Sequence, residues 1–173
     1  MSDSQPQVLY TPAQRARRDA TRWTLVQGIL APVQFFVFLL SLFLVINSLK
    51  TGENTDWALI SVVVKTVVLY AIMITGAIWE KVVFGKYLFA PAFFWEDVVS
   101  TLVMVLHTAY LWVWWEGKWS ADDQLLLALT AYTTYAINAA QYIRKLRMAR
   151  LQRPTEPSRD LEHTTASGPQ VSL

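Results

Sequence analysis

Four long apolar runs, broken by short polar stretches, dominate the chain at about residues 25–49, 57–80, 93–115 and 121–143. Each is long enough to cross a bilayer core of about 30 Å, which takes roughly 20 helical residues. In hydrocarbon the backbone must satisfy its own hydrogen bonds, so uninterrupted runs of this length predict helices. The expected fold class is an all-α integral membrane protein, a four-transmembrane-helix bundle. The first run is too long for the apolar core of a cleavable signal, and no small-residue cleavage site follows it.

Polar residues inside the runs fall into register. Gln27, Gln34, Ser41 and Ser48 repeat every seven residues, which places them on one stripe, the inward seam of a left-handed bundle. Hydrogen bonding between helices is the ordinary use of such a stripe. Pro32, in the same run, frees the carbonyl of Gly28 and predicts a kink. In the second run Lys65 lies roughly 12 Å below the outer end; it either snorkels or joins a buried pair. The third run places Glu96, Ser100 and His107 on one face and Asp97, Thr101 and Thr108 on the next. The fourth carries Thr130, Thr134, Asn138 and Gln141 along one stripe.

Counting helical rise, His107 is also about 12 Å deep, level with Lys65, Ser41 and Tyr132. Gln27, Glu80, Glu96, Asp97, Asn138 and Gln141 make a second polar layer at the opposite end. Two such layers exceed what packing needs, so a ligand is expected to enter the bundle.

Charge sets the orientation. Arg15, Arg17, Arg18 and Arg22 precede the first run, Lys81 and Lys86 lie in the 80–92 loop, and Arg144, Lys145, Arg147, Arg150 and Arg153 follow the last. The other two loops offer only Lys50 and Lys118 beside Glu53, Asp56, Glu116, Asp122 and Asp123. By the excess of cationic residues on the cytoplasmic side, both termini are expected there. The domain reading is a cytoplasmic segment over 1–24, a membrane domain over 25–150 and a disordered tail over 151–173, rich in Pro, Ser, Thr and Gln. Thr11-Pro12-Ala13-Gln14 fits a capping box with proline at the first helical position. It predicts a short helix carrying Arg15, Arg18 and Arg22 on one face, suited to a membrane surface bearing anionic lipid.

Composition narrows the chemistry. Only 16% of residues are charged against 54% apolar, where a soluble domain carries about a quarter charged. There are no cysteines, which rules out disulfides, thiolate metal sites and covalent haem attachment. Of two histidines, His163 sits in the tail, and neither Glu80 nor Glu96 has a histidine three residues on, as a carboxylate di-iron bundle requires. No redox metal held by the protein is expected.

The stretch WEKVVFGKYLFAPAFFWED, residues 79–97, gathers Glu80, Glu96 and Asp97 with aromatic rings between two membrane runs. Carboxyl groups at the edge of hydrocarbon lose hydration and are driven toward the protonated form, which suits a general acid. The plainer reading is bridging to Lys81 and Lys86 and favourable placement at a helix start. Trp79 and Trp95 serve equally as an interfacial belt or as walls for a flat ligand.

LYTPAQRARRDATRWTLVQGILAPVQFFVFLLSLFLV, MITGAIWEKVVFGKYLFAPAFFWEDVVS and LHTAYL closely resemble the chlorophyllide 3-vinyl hydratases, also called 2-vinyl bacteriochlorophyllide hydratases. The resemblance runs from about Leu9 to Arg150. It implies a hydro-lyase of bacteriochlorophyll synthesis that turns the 3-vinyl group of chlorophyllide, or of a bacteriochlorophyllide-type relative, into 1-hydroxyethyl. The implied setting is a bacterial inner membrane, cytoplasmic or intracytoplasmic and photosynthetic. The partners are then the tetrapyrrole, the bilayer and possible fellow enzymes of the pathway, with no nucleic acid. Such chemistry needs an acid and a base but no cofactor; the magnesium belongs to the substrate.

The expected catalytic residues are Glu80, Glu96 and Asp97, with Glu96 or Asp97 as proton donor and Glu80 orienting water, or the reverse. Trp79, Phe94, Trp95, His107, Tyr132, Asn138 and Gln141 are the expected substrate-binding set. His107 is either an axial ligand to the pigment's magnesium or structural, because it stands about 16 Å of helix from Glu96. Two rival classes stay open. One is a non-catalytic pigment-binding or assembly protein of a photosynthetic complex. The other is a proton-coupled transporter, although no repeat relates the two pairs of runs.

Overall fold

The apolar runs fold as single helices that end where the backbone turns left-handed. Gly52 (φ 72°) and Gly85 (φ 84°) close two of them, each returning its N–H to the carbonyl four residues earlier, Ser48 and Lys81. A side chain with a Cβ adopts this conformation only at a cost. The computed structural model describes residues 9–151. The expected tail over 151–173 falls almost wholly outside that range. The elements are α1 (Pro12–Ala20), α2 (Arg22–Thr51), α3 (Thr55–Phe84), α4 (Phe94–Glu116) and α5 (Ala121–Leu151).

The capping box forms as its residues predict. Thr11 Oγ1 accepts the Gln14 N–H at 3.2 Å, and Gln14 Oε1 accepts the Thr11 N–H at 2.9 Å. Pro32 lies inside α2, which continues through it as a single helix. Helix α2 pairs along its length with α3, and α4 with α5; the two hairpins then close on one another. The heptad stripe faces inward, with Gln34, Ser41 and Ser48 buried. Ser41 bonds both Ser61 and Tyr132 at 2.6 Å, Ser48 bonds Thr55 at 2.9 Å, and Gln27 Nε2 donates to Thr75 Oγ1 at 2.7 Å. Between these polar contacts Phe38 packs on Tyr132 and Tyr135, beside Val45, Val62, Leu69 and Val103.

Leu25, Phe36, Phe43, Trp57, Val67 and Trp112 point outward from the bundle and stay exposed. A surface this apolar belongs in lipid. Helices α2, α3 and α4 are long and apolar enough to cross a membrane. Helix α5 matches them in length but not in composition, because it carries Thr130, Thr133 and Thr134 and ends in Arg144, Lys145 and Arg147. It also runs past the end expected near residue 143. Nothing in the sequence breaks it there, and the extra turns carry Lys145 back over the bundle mouth.

Candidate active site

Three acids converge at one end of the bundle. Glu80 comes from the last turns of α3, and Glu96 and Asp97 from the first turn of α4. All three are buried, at 5%, 8% and 2% exposure. They do not form one cluster of equals. Glu96 Oε2 accepts from Lys145 Nζ at 2.6 Å, and that ammonium also sits 4.8 Å from the centre of the Phe93 ring. Glu96 is therefore neutralised by a cation. Glu80 and Asp97 are neighbours, and neither carboxyl forms an ion pair among the described residues. Neighbouring carboxyls can bond to one another only when one of them carries a proton.

The loop between α3 and α4 turns its backbone onto this pair. Phe89 adopts φ 57°, a left-handed conformation uncommon for a bulky residue. There its N–H donates to Asp97 Oδ2 at 2.7 Å, and the backbone of the next residue, Ala90, comes close to the Glu80 carboxyl. Backbone turned onto an acidic pair in this way makes a small anion-binding nest. The Tyr142 hydroxyl lies in reach of both Asp97 and Ser100. Glu80 Oε2 is left buried with no partner among the described residues. It is the free valence of the site.

Aromatic rings roof the pair. Tyr10 stacks on Phe84 with centroids 5.7 Å apart, and Phe93 stacks on Tyr142 at 6.0 Å. Trp79 meets Phe84 and Phe93 edge-on at 5.8 Å, and its Nε1 donates to Thr24 Oγ1 at 2.9 Å. That bond ties the roof to the junction of α1 and α2. Burial pushes the Tyr10 hydroxyl above its ordinary pKa, opposed by the Arg18 guanidinium 4.8 Å from its ring. Tyr10 stays neutral and apolar in character.

A second centre lies deep in the bundle. Lys65 and His107 are fully buried. His107 Nδ1 is 2.8 Å from the Val103 carbonyl, which can only accept, so Nδ1 carries the hydrogen. The lone pair of Nε2 then receives Lys65 Nζ at 2.5 Å. Lys65 Nζ also lies 4.1 Å from the Tyr135 ring centre and 5.2 Å from that of Tyr132. The imidazole stacks on Tyr132 at 5.9 Å. Both ring nitrogens are engaged.

A family model described as 2-vinyl bacteriochlorophyllide hydratase matches residues 10–148, which span both centres. The chain belongs to that family. A protein of that name from Rhodobacter capsulatus is 62% identical over 148 residues, 86% of each chain. Another of that name, from Cereibacter sphaeroides, is 65% identical over 143 residues, 83% of this chain and 89% of its own. No solved structure is a significant match.

Within this hydratase-family chain, the residues expected to bind substrate divide between the two levels. Trp79 belongs to the roof over the carboxyl pair. Phe94 and Trp95 are 44% and 70% exposed and face outward, Phe94 against Phe89 at 5.8 Å. Asn138 Nδ2 donates to Ser100 Oγ at 2.8 Å, and Gln141 lies one turn further along α5. His107 and Tyr132 sit at the deep centre, away from the acids. Several residues now seen at the site carried little signal of their own. Phe89 and Ala90 act through backbone geometry, Lys145 read only as part of a cationic helix end, and Tyr10 preceded the first helix. Tyr142 had a usable signal, since it follows Asn138 by four residues on the same face.

Proposed function

We propose that the protein is a membrane hydro-lyase that adds water across the vinyl group of chlorophyllide a or a close bacteriochlorophyllide-type relative. The product carries a 1-hydroxyethyl group, and the step belongs to bacteriochlorophyll synthesis. The observation that carries this reading is the buried Glu80–Asp97 pair, with one Glu80 oxygen free, in a chain of the hydratase family.

The proton of the pair moves to the terminal vinyl carbon as the alkene π electrons form the new C–H bond. The positive charge left on the inner carbon is delocalised into the macrocycle. Water oxygen bonds that carbon and returns its extra proton to the pair, so the acid is regenerated. Asp97 accepts from Phe89 and Glu80 keeps an unpartnered oxygen, which makes Glu80 the donor and Asp97 the carboxylate that orients water. Glu96, held by Lys145, balances charge and positions α5 over the mouth. The roof excludes bulk water and strengthens every electrostatic contact beneath it.

Trp79, Phe94 and Trp95 flank the macrocycle from the roof and the lipid side. Asn138 and Gln141 lie on the inward side of the mouth. His107 offers no free lone pair to the pigment's magnesium, and it and Tyr132 are assigned a structural role. The reaction is redox-neutral and requires no cofactor. All four long helices cross the bacterial inner membrane, or its intracytoplasmic photosynthetic extensions, with both termini and the α3–α4 loop on the cytoplasmic side. The basic residues at 15–22, 81–86 and 144–150 support that orientation. Residues 1–24 then form the cytoplasmic segment with its surface helix, 25–150 the membrane domain and 151–173 the tail.

Membranes from a host that lacks the pathway, supplied with vinyl-chlorophyllide in 18O-labelled water, are expected to give a pigment heavier by one labelled water. Pigment bound but never hydrated would make this a carrier or assembly protein instead. The nest makes a separate prediction. Phe89→Gly, free to adopt φ 57°, should keep kcat within about twofold, whereas β-branched Phe89→Val should lower it about tenfold at unchanged pigment KM. Equal rates in the two variants would remove the backbone conformation from the mechanism.

A further inference from the structure

Between the carboxyl pair and the Lys65–His107 centre lies a polar level that the proposed chemistry leaves unused. Ser41 bonds Tyr132, and Tyr132 stacks on His107. Two helical turns toward the cytoplasmic end, about 10 Å, the same three helices present Gln34, Ser100 and Asn138. The bond from Asn138 to Ser100 fixes that register. Gln34 is only 1% exposed, yet neither its Oε1 nor its Nε2 meets a partner among the described residues. Asn138 Oδ1 and Gln141 Oε1 are buried and unpartnered as well.

Carboxamides buried with their bonding atoms unmet are rare and call for a specific occupant. Leucine or methionine would fill the space of Gln34 at less cost. The unmet set mixes one donor group with three acceptors and carries no charge, so it suits a neutral molecule that both donates and accepts. Phe38, Leu69 and Val103 pack at or next to this level, which restricts the occupant to a small one. Water meets each condition.

We infer that Gln34, Asn138 and Gln141 form an internal water site and that, granting the hydratase reading above, this water supplies the reaction. A polar line leads from it to the acids, through Ser100 to Tyr142 and on to Asp97. On the opposite side of the acids the rings of Tyr10, Phe84 and Phe93 pack on one another. Water delivered from inside reaches the vinyl group on the side where Asp97 stands, without opening the roof.

Water-edited solid-state NMR of labelled protein in lipid bilayers tests the site without reference to activity. The side-chain amides of Gln34 and Asn138 should gain magnetisation from water as quickly as Arg15 at the surface, while lipid-facing Phe43 should not. Silent amides beside a responsive Arg15 would show a dry level and overturn the site. Gln34→Leu, or the gentler Gln34→Met should Leu fail to fold, should abolish transfer to Asn138. It should also lower kcat about tenfold with pigment KM unchanged. Transfer lost with kcat intact would leave a water site that does not feed the reaction, refuting the second half. Parent protein that carries the water but hydrates no pigment would refute the hydratase reading and leave the site standing.

Discussion

Glu80→Gln is expected to lower hydratase kcat by about a thousandfold, within the range that a positioned general acid contributes. The amide keeps the shape of the carboxyl beside Asp97, so the bundle should fold and bind pigment with little change in KM. It cannot give up a proton at the required rate. Asp97→Asn should cost a comparable factor if the pair acts as one unit, as proposed, and the double variant should then be scarcely slower than either single one. Glu96→Gln should lose less than about tenfold, since its partner Lys145 retains the Phe93 ring and nearby water. Initial rates in membranes at saturating pigment measure all four. A Glu80→Gln rate above about a tenth of the parent's would take the proton donor away from this pair, and equal losses in Glu96→Gln would show that the ion pair is not a spectator.

What sequence reading reached and what it missed divide along a physical line. Apolar length and heptad spacing are local properties, so the helices, the inward stripe of Gln34, Ser41 and Ser48 and the shared depth of Lys65 and His107 follow from counting rise per residue. The capping box at Thr11 is likewise written within four residues. The end of α5 is not, because an apolar run shows where hydrocarbon stops while the helix goes on until something caps it; Lys145 therefore reached Glu96 unforeseen. The separate fates of Glu80, Glu96 and Asp97 depend on which cation and which amides approach each oxygen. Phe89 contributes a backbone N–H from a left-handed turn, and nothing about a phenylalanine in the sequence announces that. Stripes and levels are legible; pairings within a level require the fold.

His107→Ala is expected to destabilise the folded bundle by about 3–5 kcal/mol, because it orphans the buried Lys65 amine and leaves a cavity beside Tyr132. Lys65 would then be left fully buried, with two tyrosine rings but no acceptor for the N–H now bonded at 2.5 Å. Lys65→Met should cost less, about 1–3 kcal/mol, because it orphans only the neutral Nε2 of His107. Removing both polar ends in Lys65→Met/His107→Leu should return stability to within about 1 kcal/mol of the parent, since apolar packing often replaces a buried polar pair without loss. Reversible unfolding in mixed micelles, arranged as a double-mutant cycle, reads the coupling directly. The same double variant also separates the two centres functionally. If the deep pair is structural, the folded variant keeps kcat within about threefold, in contrast to the collapse expected for Glu80→Gln. A folded double variant that no longer turns over would instead place the acid–base chemistry at Lys65 and His107. The macrocycle would then have to enter past Asn138 into the middle of the membrane, and the roofed carboxyl pair would be its gate.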